Sequence, residues 1–409
     1  MGLQIIDLTK FISRLPFDFQ LLPPHTYLVG GTVRDVLLSR FKPNFDLDFV
    51  LPEAAISTAK KIADYYRAGF VVLDEARQIA RVVLEAGTLD FALQVGKDIT
   101  IDLQRRDFTI NAIAYDCSQE RIIDPLGGVR DLENRVLRMI ARDNLIDDPL
   151  RLLRAYRQAA QLDFTIAEST RSTIRELAPL IAHVSAERVQ AELNYLLVNP
   201  IGDLGIQAAQ EDNLLEVWLP NVKVKTSAEI KKIELTKQNI VETWHNLDLE
   251  PDRIALLAKL SALVSQNPEQ AREELAKLKY SRAQIDSVVA TVKYLPQLLA
   301  TTAPMSLREQ YQFFVDVKPV FPILMIRAIA LEISRTIVQP LIDRYLDPQD
   351  PIAHPQPLVT GNDLIAHLNL KPSPAIGKLL TEIQIAYIEG KISTFAEAIE
   401  WARAFDLNE

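Results

Sequence analysis

Two aspartates, Asp46 and Asp48, stand one residue apart in the apolar run "FDLDFVL". On a strand, side chains at i and i+2 share a face, so the two carboxylates become neighbours. Like charges a few ångströms apart repel, and an apolar strand should avoid the pair unless a cation lies between them. Magnesium meets that demand, because it takes carboxylate oxygens and normally adds substrate phosphates. By itself a D-x-D reads more simply as a solvated strand face. The flanks argue for chemistry. Gly30 and Gly31 follow a strand-like run and precede a helix-like one, where bare backbone N–H groups can face a phosphate. Arg34 lies one helical turn in and can reach the same anion. Together these residues describe a metal–triphosphate site. Asp90, on the next pair of strand-like runs, either completes a carboxylate cluster or is an ordinary strand residue.

Two further clusters could serve such a site. In "LQRRDFTINAIAYD", Arg105 and Arg106 offer phosphate donors, and Asp107 can accept from a ribose hydroxyl. Asn111 suits a polar contact or the fixing of the strand. In "DDPLRLLRAYR", Asp147 or a neighbour can cap a helix that carries Pro149 in its first turn. Asp148, Arg151, Arg154 and Arg157 recur every three residues and form one slowly drifting stripe, with Leu150, Leu152 and Leu153 on the packed side. Such a stripe also occurs as a solvated face with weak internal ion pairs. Between these clusters, "IIDPLGGVRDLENR" reads as a turn or hinge with a mechanical role.

The elements that must position these residues change character along the chain. "TYLVGG", "FDLDFVL" and "RVVLEAGTLDFALQ" have strand patterning, the last as two strands about Gly87. "ISTAKKIADYYRAG" is helical with a stop at Gly69, and "INAIAYD" and "RIIDPLGG" suggest another strand pair. From about residue 147 strand signals fade, and helical spacing dominates to the end. A proline-rich joint, "LDPQDPIAHPQPLV", sets off a last helical segment.

At 409 residues, more than one core is expected. The single cysteine, Cys117, excludes an intramolecular disulfide and any cysteine-built zinc site. No apolar run approaches the ~18 residues that a membrane helix needs, and the N-terminus lacks a secretory pattern. A cytoplasmic protein is the expectation. The net charge of −9 opposes a uniformly basic surface. Six arginines between residues 135 and 157 nevertheless provide a local site for a polyanion.

These clusters, in this order, resemble the class II tRNA nucleotidyltransferase and bacterial poly(A) polymerase family. "GGTVRDVLL…DLD" is similar to its catalytic motif, "RRDFTINA" to its second and "DPLGGVRDL" to its third. "DDPLRLLRAYR" resembles the nucleotide-reading motif, "ERVQAEL" a fifth, and the segment from "PLVTGNDL" onward the tRNA-binding tail. The resemblance implies an α+β polymerase-β-like head over residues 1–140. An all-α neck (141–205), body (206–350) and tail (351–409) would follow. It implies Asp46 and Asp48 as magnesium ligands with Asp90 as third carboxylate, and Gly30, Gly31 and Arg34 on the triphosphate. Asp107 would meet the ribose, Arg106 and Asn111 would line the nucleotide pocket, and Asp148 and Arg151 would read the base, with Arg154 and Arg157 nearby.

That last pair makes physical sense. Cytosine and adenine each present an amino donor beside a ring-nitrogen acceptor, which a carboxylate and a guanidinium satisfy together. Uracil and guanine present the reverse order and would leave buried polar groups unpaired, at about 1–3 kcal/mol each. Side chains alone can therefore select C and A without a template. The implied reaction is attack of a tRNA 3′-hydroxyl on the α-phosphorus of CTP (and of ATP for a full CCA end), assisted by two magnesium ions. One departure stands out. Only "FALQVGKDITIDLQ" separates Asp90 from Arg105, where CCA-adding members carry a longer flexible loop. The shortening resembles the CC-adding subgroup, which leaves the terminal A to a separate A-adding enzyme. The alternatives are a poly(A) polymerase, which tends to carry basic extensions, and a catalytically inactive tRNA-binding module.

Overall fold

The computed structural model describes residues 6–40, 44–222, 225–244 and 250–405. The chain forms two compact units, Met1–Val217 and Trp218–Glu409.

The first unit is built on a seven-stranded sheet in the order β3-β4-β5-β2-β1-β6-β7. Its strands are β1 (Tyr27–Val29), β2 (Phe45–Leu51), β3 (Gly69–Asp74), β4 (Ile79–Leu84), β5 (Gly87–Leu93), β6 (Ala114–Asp116) and β7 (Arg121–Ile123). Only β2 and β5 run parallel; every other neighbouring pair is antiparallel. The alternation along β2 explains its two faces. Phe45, Leu47 and Phe49 are buried, and Phe49 stacks on Phe91 with ring centroids 5.2 Å apart. On the opposite face Asp46 is exposed, Asp48 is half-buried, and Val50 is buried. Val50 joins a small apolar cluster with Val29, Ile99, Leu103, Ala112 and Ala114. One face of one strand is thus closed at the Val50 end and open at the Asp46 end.

Among the described residues, ten α-helices accompany the sheet: α1 (Ile6–Ile12), α2 (Gly31–Leu37), α3 (Ala55–Tyr66), α4 (Ile99–Gln104), α5 (Gly128–Glu133), α6 (Arg142–Asp147), α7 (Leu150–Leu162), α8 (Glu168–Leu177), α9 (Ala186–Val198) and α10 (Gly202–Glu211). Several local expectations need correction. α3 ends on Arg67, which takes the left-handed conformation (φ 52°), and Gly69 opens β3, a strand the sequence did not announce. The β4–β5 turn falls on Glu85 and Ala86, and Gly87 is the first residue of β5. Pro149, with no capping side chain, precedes α7, and Asp148 is extended in the joint from α6. Asp148 therefore lies off the helix, and only the three arginines form its stripe. The neck is not wholly helical either, since β8 (Val136–Leu137) pairs in parallel with β9 (Thr165–Ile166). The expected boundary after residue 205 falls within α10, which packs on α7 and α9.

The second unit is helical throughout its described residues, from α11 (Thr226–Thr243), α12 (Pro251–Leu263), α13 (Pro268–Lys277) and α14 (Arg282–Ala300) through α15 (Leu307–Val317), α16 (Phe321–Ala330) and α17 (Arg335–Leu346). The proline-rich joint then leads to α18 (Gly361–Leu368), α19 (Pro374–Ile388) and α20 (Phe395–Ala404), which share their own apolar cluster about Leu364, Leu379, Ile383 and Ala398. Capping boxes at Thr360 and Thr394 start α18 and α20. No described helix is long and apolar enough to cross a membrane.

α7 is anchored from behind. Tyr156, buried on the face away from the arginines, donates its hydroxyl to Asp212, which also accepts from Arg171 and Arg175, each at 2.7 Å. These donors hold the Asp212 carboxyl below its ordinary value despite its burial. Tyr156→Phe should cost about 2 kcal/mol, the worth of a hydrogen bond to a charged group, measured by urea unfolding. Asp212, depressed in the folded state, stabilises above its unfolded value near 4 and loses that contribution as pH falls further.

Candidate active site

The carboxylates form a row across the sheet. Asp48 on β2 is in register with Asp90 on β5, and Asp90 with Arg81 on β4. Two residues along, Asp46 is opposite Thr88, whose hydroxyl donates to its carboxylate. Asp90, expected to complete the cluster, has both oxygens engaged by Arg81: Nε and Nη2 each donate at 2.7 Å. Among the described residues, no three acidic, histidine or cysteine side chains converge as a metal-ligand group.

Burial, then the charges of Asp46 and Asp90, push the Asp48 carboxyl up to about 6, with Arg106 and Arg81 pulling the other way. An oxygen-only pair with excess negative charge is a donor set suited to a hard divalent cation. Gly30 (φ 76°, ψ −140°) holds a conformation that side-chain-bearing residues rarely adopt, and a Cβ there would lie 3.4 Å from both Asp48 Oδ2 and Arg106 Nη1. The strand end is thereby laid directly against the charged groups.

A cleft of about 640 Å³ opens beside this row, lined by Gly30, Gly31, Arg34, Asp48, Arg106, Asp107, Asn111, Asp148, Arg151, Arg154 and Arg157. Asp46 lies in the adjoining smaller pocket with Asp48, Gly31 and Arg34, while Asp90 lines neither. Asn111 is the hub of the cleft floor. Its amide donates to Asp107 and to Gln158, both at 2.9 Å, and its carbonyl accepts from Arg34 at 2.8 Å. Asp107 also accepts from its neighbour's Phe108 N–H and pairs with Arg154 at 3.2 Å. Arg106 pairs with Asp102 at 3.3 Å, and the buried Nε atoms of Arg106 and Arg154 have no hydrogen-bond partner among the described residues. Unsatisfied buried donors beside a cleft of arginines suit an anionic ligand.

Asp148 and Arg151, the pair expected to read the base, are held in place by groups that sequence reasoning passed over. Asp148 accepts from Arg188 on α9 at 2.9 Å, with Arg151 Nε at 4.0 Å. Arg151 donates Nη1 to the carbonyls of Arg105 (3.0 Å) and Asn144 (2.8 Å), and Asn144 in turn donates to the carbonyls of Gln104 and Arg106. Arg157 engages Glu192 and Gln161 and lies 5.8 Å from the Tyr195 ring centre. Arg188 and Glu192 stand four apart within "ERVQAEL", so their spacing was visible but their partners were not. Arg40, which lines the cleft and donates to the carbonyls of Gln161 and Leu162, had no signal beyond residue type, nor did Gln158 and Arg81.

The "DPLGGVRDL" segment buttresses the floor. Asp124 caps α5 by accepting from the N–H groups of Gly128 and Val129. A Cβ on Gly128 would lie 2.2 Å from the Thr109 carbonyl, and Asp131 accepts from the Thr109 hydroxyl while pairing with Arg138. That close packing holds the turn that carries Asn111.

A sheet bearing paired carboxylates beside a Gly-Gly helix start and an arginine-lined cleft defines a nucleotidyltransferase. Family models agree: the poly A polymerase head domain matches residues 26–138, and tRNA nucleotidyltransferase domain 2 matches residues 251–402. The chain is 48% identical to a CC-adding tRNA nucleotidyltransferase of Synechocystis sp., over 98% of each protein. It is 30% identical to an A-adding tRNA nucleotidyltransferase of Deinococcus radiodurans, over 92% of this chain and 94% of that one. A solved CCA-adding enzyme in complex with CTP shares the fold, with a TM-score of 0.76 over 97% of this chain and 98% of that one at 22% identity. The chain belongs to the tRNA nucleotidyltransferase family.

The raised Asp48 carboxyl has a thermodynamic consequence. A carboxyl raised on folding costs stability above its folded value and costs nothing below its unfolded value near 4. Asp48→Asn should therefore raise the melting temperature of the metal-free protein at pH 7.5, and the gain should vanish as pH falls from 6 to 4. Scanning calorimetry across that range checks it.

Proposed function

We propose that this protein adds cytidylate residues to the 3′ end of tRNA, using CTP and magnesium without a template, and leaves the terminal adenylate to a separate A-adding enzyme. The observation that carries the CC reading is the path after β5. From Leu93 the chain passes through residues 94–98 straight into α4. Asp98 caps that helix through the N–H of Ile101, and Asp102 accepts from Val95 N–H, both at 3.1 Å. A segment pinned at both ends leaves no span for a mobile loop. The full-length similarity to a CC-adding relative supports the same reading.

The residues divide the work as follows. Gly30 and Gly31 bring bare backbone to the triphosphate, and Arg34 and Arg106 neutralise it. Asp107, fixed by Asn111 and Arg154, meets the ribose. Asp148 and Arg151 read the amino group and ring nitrogen of cytosine, with Arg188 and two backbone carbonyls fixing their orientation. Arg154 and Arg157 continue the positive wall of the cleft. Asp46 and Asp48 would hold magnesium, which when bound would supply Lewis-acid activation of the attacking 3′-oxygen and charge stabilisation of the leaving pyrophosphate. The sheet-bearing head carries the chemistry, the helices beyond it engage tRNA, and the cytoplasm is where that substrate is met.

On tRNA lacking its 3′ CCA, the protein should add two cytidylates from CTP and stop, with ATP extending the product no further. Gel analysis of the labelled ends reads this directly, and efficient terminal A addition by this chain alone would overturn the CC assignment. Asp48→Asn should abolish incorporation and leave tRNA affinity unchanged, whereas a non-catalytic binding module would show no incorporation to lose.

A further inference from the structure

The Arg81–Asp90 pair lies next to the proposed metal ligands, yet the mechanism above does not use it. The sheet register places Arg81, Asp90 and Asp48 side by side on three adjacent strands, on the face where Asp46 also lies. Neighbouring strands are about 4.8 Å apart, so three carboxylates on this face would form a cluster of charge −3. Arg81 alters that arithmetic. Its fork takes both oxygens of Asp90 at 2.7 Å, the two-point geometry in which guanidinium and carboxylate pair most strongly. The pair is partly shielded, with side chains 39% and 18% exposed. What remains is Asp46 and Asp48, whose charge of −2 matches one divalent cation.

We propose that Arg81 is a positioning residue of the metal site, one that withholds Asp90 from coordination and sets the site at two carboxylates. Asp90 then acts through Arg81: the neutral pair forms a fixed wall beside Asp48 and leaves the remaining coordination positions to water and the triphosphate. The idea rests on the assignment of Asp46 and Asp48 as metal ligands and deepens it, because it removes the third carboxylate from the ligand set.

Manganese binding to the full-length protein, followed by the EPR signal of the free ion, tests this without any turnover. Arg81→Gln frees Asp90 and should tighten manganese binding about tenfold, the scale on which outer-shell partners act. The double variant Arg81→Gln/Asp90→Asn replaces the ion pair by a neutral amide pair and should return to within about threefold of wild type. Loss of manganese binding in the double variant, to the level of Asp48→Asn, would show Asp90 to be a ligand and overturn the proposal, as would unchanged affinity in Arg81→Gln. If Asp48→Asn itself binds manganese as tightly as wild type, the ligand assignment fails and the proposal fails with it. Circular dichroism of each variant confirms that the affinities compared are those of folded protein.

Discussion

The repulsion between Asp46 and Asp48 is the constraint around which the first unit is arranged. β2 must bury Phe45, Leu47 and Phe49 on one face, which forces the two carboxylates to share the other. That face is apolar at Val50 and open at Asp46, so Asp48 sits where water thins out and its charge is costly. Nothing in the sheet relieves the cost completely. Arg106 and Arg81 lower it, and a cation between the carboxylates would remove the rest. A folded protein that maintains such a cost at one point has that point shaped for a ligand.

The cleft answers the same need on a larger scale. Arginines arrive from α2 and the residues just after it, the segment after α4, α7 and, behind Asp148, α9. Left alone they would repel one another. Asn111, Asp107, Glu192 and Asp148 pair with them directly, and Gln158 braces Asn111, so the positive wall is held by the protein's own groups before any nucleotide enters. Rigidity is what template-free base choice requires, because discrimination comes from leaving the wrong base unpaired, and that penalty disappears if the pocket can adjust. α7 is held on its other side by Tyr156 and Asp212, and the Asn111 turn by the packing of Gly128.

Much of this was legible in the residues. The paired aspartates, the Gly-Gly start, Arg34, the "RRDFTINA" cluster and the arginine stripe all line or flank one cleft. The helical second half was legible too, since its apolar spacing is strongly periodic. Legibility failed where a residue's role depends on a partner distant in sequence. Asp148 has a motif's spacing, but its extended conformation and its bond to Arg188 arise from how α9 packs on α7. β3 was missed because its apolar side chains are largely exposed, so no alternation marked it.

Asp90 shows the division most clearly. Composition and order determined that this chain carries two carboxylates on one strand face, a glycine start and a basic helix, because periodicities of two and three to four are properties of the backbone itself. From those alone follow the class of chemistry and the family resemblance. Whether a third carboxylate joins the other two is decided by strand register, which sets Arg81 against Asp90 and Asp90 against Asp48 across a hairpin and a parallel crossover. Register depends on how β4 and β5 pack against α3 and β2 against α2, and only the assembled sheet carries that information.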